Sequence, residues 1–114
     1  MGTEAEKQVR KVKTRCYYTD YVNHMIRFYL STPESIETNG KRGADIANWI
    51  AVQDVWHRLG TDDKQILERV YALHHRVAEG VRMYCEESGT KDPYPIWVLV
   101  TKTNQAIAKK RGLI

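Results

Sequence analysis

Apolar residues return every three to four positions along most of the chain, the spacing that places them on one face of an α-helix. The first apolar stripe starts beside Thr19 and Asp20, either of which can cap a helix, and it stops near Ser31. A second stripe covers residues 44–59. Between them, residues 32–43 are polar and contain proline, asparagine and glycine, so this stretch is predicted to be a long loop.

Three more helices are predicted after Gly60, which ends the second one. Thr61 and two following aspartates supply an N-cap and first-turn acids for a third helix that extends to about Leu73. A fourth helix begins at about His75 and stops at Ser88-Gly89. The last begins at Asp92-Pro93, where a proline early in a helix is tolerated because the first amides have no intrahelical partner.

The run of residues 96–100 is the one place where the pattern is ambiguous, because its β-branched side chains also favour a strand. A single strand would have no partner here, so a helix is the better prediction. The sequence therefore predicts an all-α fold, a compact bundle of about five helices. Residues 17–114 are expected to form a single domain, and residues 1–16, which are poor in apolar side chains, a flexible basic tail.

Composition narrows the class further. The 114 residues are 42% hydrophobic and 28% charged, and no apolar run is long enough to span a bilayer, so no membrane association is expected. The first residues lack the apolar stretch of a signal peptide. Cys16 and Cys85 lie far apart and outside any metal-binding spacing, which predicts free thiols and a cytoplasmic location.

Positive charge is concentrated at the two ends of the chain, which has a formal net charge of +4. The N-terminal cluster is Arg10, Lys11, Lys13 and Arg15, and the C-terminal cluster is Lys102, Lys109, Lys110 and Arg111. No acidic residue follows Asp92. This charge permits a polyanionic partner without requiring one, and the N-terminal cluster fits either a minor-groove arm or a disordered solubility tail.

Motifs of catalysis are missing from the sequence. It contains no GxSxG, GxxxxGK[ST], HExxH or GxGxxG. His74 and His75 are adjacent, and neighbours on a helix point about 100° apart, so they are poorly placed to share a metal. We therefore expect a protein that is not an enzyme and uses no cofactor or metal.

The order of elements after Leu59 is helix, turn, helix, glycine-containing turn and a basic helix, as in a helix-turn-helix unit. With the apolar residues of the last helix facing inward, the predicted outward residues are Thr101, Lys102, Asn104, Gln105 and Lys109, with Lys110 and Arg111 set against the DNA backbone. Asn and Gln can pair bidentately with adenine, and Lys and Thr can contact bases or phosphates. An ordinary solvated helix face is the alternative interpretation.

Two segments carry a family resemblance. Residues 59–71, LGTDDKQILERVY, resemble the opening helix of sigma-70-type region 4 domains, and residues 97–114 are similar to their recognition helix. Residues 17–24, YYTDYVNH, resemble the start of small phage-type regulators carried on prophages and mobile elements. The resemblance implies that residues 59–114 form a DNA-binding unit whose last helix enters the major groove.

The function expected from these observations is a DNA-binding transcriptional regulator of phage or mobile-element origin that binds double-stranded DNA. A single helix-turn-helix reads only a short half-site, so tight binding would require a homodimer or RNA polymerase as a partner. The alternative is a helical protein–protein interaction or assembly module without DNA binding.

Overall fold

The computed structural model of the protein describes residues 16–31, 43–72 and 76–114. They form five α-helices: α1 Thr19–Ser31, α2 Gly43–Trp56, α3 Thr61–Tyr71, α4 Val77–Ser88 and α5 Tyr94–Arg111. No strand occurs within these ranges, so the all-α prediction is confirmed, and so is the helix over residues 96–100. Most of the predicted tail and loop, and the predicted helix start at His75, lie outside the described residues.

Glycines end the last two helices, and the first of them, Gly89, is the terminator that the sequence predicts. Gly89 and Gly112 both adopt the left-handed conformation, with φ of 74° and 80°, which side chains disfavour. After α5, the Gly112 amide donates to the Lys109 carbonyl at 3.1 Å and the Leu113 amide donates to the Ala108 carbonyl at 2.8 Å. This pair of bonds is a Schellman motif, which satisfies carbonyls that the helix leaves without partners.

Helix starts differ from the prediction in detail. Gly60, not Thr61, occupies the N-cap of α3 and no side chain caps it, so that prediction is wrong; the predicted acids do lie in the first turn. At α5 the cap position falls on Pro93, and Asp92 acts one residue earlier by accepting the Tyr94 amide at 3.1 Å. The backbone of Gly60 is extended, so the chain enters α3 at this residue without a side-chain hydrogen bond.

The core is one continuous cluster to which all five helices contribute. Its largest fully enclosed side chains are Val22, Met25, Ile26, Val52, Leu67, Val70, Val81 and Ile107. α5 packs mainly against α2 and then α1, whereas α4 packs on α3. The fold is therefore a helical bundle with an α3–α4 hairpin on its side, and the predicted helix-turn-helix arrangement of residues 59–114 stays a prediction.

The α3–α4 crossing is unusually close at Gly80. A Cβ at this position would lie 2.0 Å from the Val70 carbonyl oxygen, so only glycine lets the two backbones approach this far. None of the helices in the described ranges is long and apolar enough to cross a membrane.

Candidate nucleic-acid interface

Three of the seven residues that the sequence nominates for DNA contact share one surface of α5. Lys102, Gln105 and Lys109 are all exposed, and spacings of three and four residues place them on the same side of a helix. Since an α-helix rises about 1.5 Å per residue, the Lys102 and Lys109 backbones are separated by about 10 Å along the axis. We call these three residues the α5 exposed face.

The α5 exposed face carries positive charge that no ion pair among the described residues neutralises. The helix contains no acidic residue, and within the described ranges neither Lys102 nor Lys109 has an acidic group within ion-pair distance. Lys110 is exposed at the edge of this face, where its Nζ lies 3.9 Å from Asp54 Oδ2 of α2. Such a long, solvated pair is weak, so Lys110 still contributes to the positive surface.

Asn104 does not point outward, and that prediction is wrong. The residue is only 4% exposed, because it faces α1 and α3. Its Nδ2 donates to Asn23 Oδ1 at 2.9 Å, and the Tyr71 hydroxyl donates to the same oxygen at 2.7 Å. Asn104 therefore joins a buried polar cluster of Asn23, Tyr71 and Asn104 that links three helices.

Thr101 and Arg111 are also turned away from the predicted interface. Thr101 is half-buried, with an enclosed hydroxyl that makes no hydrogen bond to the described part of the protein. The Arg111 Nε donates to Asn48 Oδ1 at 2.6 Å, and Asn48 Nδ2 donates in turn to the Tyr21 hydroxyl at 2.9 Å. The guanidinium thus fastens the end of α5 to α1 and α2 instead of extending toward a partner.

The buried polar cluster strongly favours the neutral form of Tyr71. Burial raises the pKa of Tyr71 above its ordinary value, and the hydrogen bond with Asn104 and the positive charge of Arg27 offset part of that rise. The Arg27 guanidinium carbon lies 5.6 Å from the centre of the Tyr71 ring, a cation–π distance. α5 is therefore held by a cluster in which Tyr71 keeps its proton.

Sequence reasoning missed Asn23, Asn48 and Tyr71 as the residues that position α5. The available signal was an asparagine inside an apolar helical stretch, as in the segment IANWIAV around Asn48. A buried amide needs hydrogen-bond partners, so such a residue predicts a polar contact with another helix. The sequence alone does not say which helix supplies the partner.

A second surface feature lies in the groove between α3 and α4. Ile66 and Tyr84 are half-buried in it, and Arg69 pairs with Glu87 across it. On the outer side of α4, Arg82 bonds Glu79 and Glu86 at 2.5 and 2.6 Å. Arg69 and Arg82 of this hairpin are thus both paired with glutamates of α4.

The possible metal ligands of the described residues do not cluster. Across residues 16–31, 43–72 and 76–114, no three His, Cys, Asp or Glu side chains come together in a way that could hold a metal ion. His74 and His75 lie outside those ranges. The described chain is an all-α bundle with one exposed, acid-free basic helix face, and that face is the candidate site.

Comparison of the chain with protein-family models, curated protein sequences and solved structures gives no match.

Proposed function

We propose that the protein binds double-stranded DNA through the α5 exposed face, Lys102, Gln105 and Lys109, with Lys110 at its edge. The observation that carries this proposal is that, among the described residues, no acidic side chain pairs with Lys102 or Lys109, on a helix that has no acidic residue. Phosphate neutralisation by lysines releases condensed counterions and supplies most of the affinity of non-specific DNA binding. A positive helix face also fits the width of the major groove.

The packing of α5 supports its use as a binding element. Its inner face is buried against α1, α2 and α3, and its C-terminal end is fastened by the bond from Arg111 to Asn48. A helix fixed in this way presents its outer residues in a defined arrangement, so little ordering entropy is lost on binding. Within this proposal the protein is a transcriptional regulator that acts with a second copy or with RNA polymerase.

A second candidate function, a protein-interaction module, is favoured by α2. Ile50 is 46% exposed and Ile46, one turn earlier, is half-buried, so the outer side of this helix carries two apolar side chains at helical spacing. Exposed apolar positions in a cluster are typical of protein contacts. Under this alternative, binding would depend on Ile46 and Ile50 and would be insensitive to the lysines of α5.

The test is fluorescence anisotropy with a labelled mixed-sequence duplex, titrated from low to physiological salt. The variant Lys102→Ala/Lys109→Ala/Lys110→Ala removes the positive surface. A matched control, Arg69→Ala/Arg76→Ala/Arg82→Ala, removes the same charge from the α3–α4 hairpin. We expect salt-sensitive binding that the α5 variant weakens at least about tenfold and the control leaves nearly unchanged. Equal affinity of the wild type and the α5 variant would refute the proposal.

A further inference from the structure

We infer that the α5 exposed face binds duplex DNA with little dependence on base sequence, by contacting the phosphate backbone. This inference rests on the proposed function and specifies its substrate class as DNA of any sequence. The basis for the inference is the orientation of the α5 side chains, some of which are exposed and able to contact a base edge while others are buried or hydrogen-bonded within the protein.

The side chains that most readily read bases are withdrawn from the surface. Arg and Asn make the bidentate contacts to guanine and adenine that give direct readout in the major groove. The guanidinium of Arg111 is hydrogen-bonded to Asn48, and Asn104 belongs to the buried polar cluster. The Thr101 hydroxyl, a third group able to contact bases, is enclosed.

Recruiting Asn104 to a base would cost the bonds that hold it in the buried polar cluster. Turning it outward would break its bond to Asn23 and expose the buried position beside Tyr71 to water. Breaking a buried hydrogen bond is costly in its own right, and the open space left behind adds to that cost. A base contact from Asn104 would have to compensate for both losses.

The groups that remain exposed suit phosphates better than bases. Lys102 and Lys109 are flexible cations with rotatable donors, which bind phosphate oxygens as point charges. Gln105 is the one exposed amide among the seven nominated residues, and it is able to pair with an adenine. The surface therefore combines general backbone attraction with at most one specific base contact.

Two quantities follow for the measured binding. One bidentate contact limits the ratio between the best and worst duplexes to about 100-fold. Two or three lysine–phosphate contacts give a slope of log affinity against log salt between about −2 and −3, since each contact contributes about −0.9. Site-specific regulators, by contrast, typically prefer their sites by 10³-fold or more.

The experiment measures binding of the wild-type protein to a pool of duplexes with a randomised centre, by sequencing the bound and free fractions at low salt. Salt slopes on single duplexes are then compared for the wild type, Lys102→Ala and Gln105→Ala. We expect Lys102→Ala to weaken all sequences alike and to reduce the slope by about 0.9. Gln105→Ala should leave the slope unchanged and remove whatever preference for adenine exists.

The outcomes separate the inference from the function beneath it. Enrichment below about 100-fold together with the expected slopes supports backbone recognition. Enrichment of one sequence by 10³-fold or more overturns the inference while leaving DNA binding intact. Lack of binding at low salt, or binding that Lys102→Ala does not alter, overturns the proposed function and the inference with it.

Discussion

α5 and the α3–α4 hairpin are both charged amphipathic elements, yet they manage charge in opposite ways. Residues 61–88 contain six acidic and four basic side chains, and Arg69 and Arg82 of the hairpin form ion pairs with glutamates of α4. The charged residues of α5 are all basic. Charges that pair locally keep a surface soluble and produce little field, whereas charges of one sign attract a partner of the other. This difference is the reason why our proposal assigns DNA binding to α5 and not to the hairpin.

The two elements are also held in different ways. The hairpin depends on the close backbone approach at Gly80, which leaves no space for even one methyl group. α5 depends on an apolar inner face together with side-chain hydrogen bonds from Asn104 and Arg111 to other helices. Substitutions should therefore affect the hairpin through steric overlap and α5 through lost hydrogen bonds.

The largest effect is expected for Gly80→Ala. The new Cβ would meet the Val70 carbonyl oxygen, so α4 would have to move away from α3. We expect the free energy of unfolding to fall by about 3 kcal/mol, at the upper end of overpacking effects. Urea denaturation followed by circular dichroism measures the change.

The control for this substitution is Gly43→Ala, because no atom of the described residues lies within 4 Å of the Cβ position there. Its free energy of unfolding should stay within about 0.5 kcal/mol of the wild type. A Gly80→Ala protein as stable as Gly43→Ala would mean that the helices do not cross as closely as described.

An intermediate effect is expected for Asn104→Ala. The substitution removes the bond to Asn23 and leaves space beside Tyr71, which should lower the free energy of unfolding by about 1–2 kcal/mol. The neighbouring Gln105→Ala, at an exposed position, should change it by less than about 0.5 kcal/mol. Thermal and urea unfolding of both variants test the contrast. Unchanged stability of Asn104→Ala, with altered base preference, would place Asn104 at the interface after all.

A smaller effect should appear at alkaline pH. The pKa of Tyr71 is raised in the folded protein above its ordinary value of 10.0 by burial, so above that pH the unfolded chain loses a proton that the folded protein retains. The contribution of Tyr71 to the free energy of unfolding is therefore fully present below pH 10.0. Above that pH it is lost progressively, by up to about 1.4 kcal/mol per pH unit. Urea denaturation at several alkaline pH values measures the slope.

Tyr71→Phe is the matched comparison for the alkaline experiment. The variant lacks the ionisable group, so its stability should fall less steeply above pH 10.0 than that of the wild type. Tyr18 and Tyr29 also have raised pKa values because of burial, and their contribution is common to both proteins. Identical slopes for the two proteins would show that Tyr71 is not enclosed.

Helix positions were largely predictable from the sequence because their signals are local. Thr19 begins the first helix, and Gly89 and Gly112 terminate the last two, since glycine alone readily takes the left-handed conformation. The exposed positions of Lys102, Gln105 and Lys109 followed from the apolar period alone. These features depend on residues within one or two helical turns of each other.

Features that depend on two helices were not predictable. The sequence prediction placed Asn104 on the outer face, whereas its contacts with Asn23 and Tyr71 on other helices bury it. Nothing in the sequence around Gly80 marks it as a crossing point, because the atom it must avoid is ten residues away on α3. The partners of Asn48 and Arg111 were hidden for the same reason. Local sequence patterns thus predicted the α5 exposed face but not the contacts that orient it.

The smallest effect is expected from the ion pair between Arg69 and Glu87. Both side chains are more than half exposed, so solvent and salt screen their attraction. We expect Glu87→Gln to lower the free energy of unfolding by no more than about 0.5 kcal/mol at low salt, with the difference vanishing at high salt. Urea denaturation at the two salt concentrations, with DNA binding measured in parallel, provides the check. A loss of stability that persists in high salt would show that the pair is shielded from water, and the hairpin would then resemble α5 in depending on enclosed polar contacts.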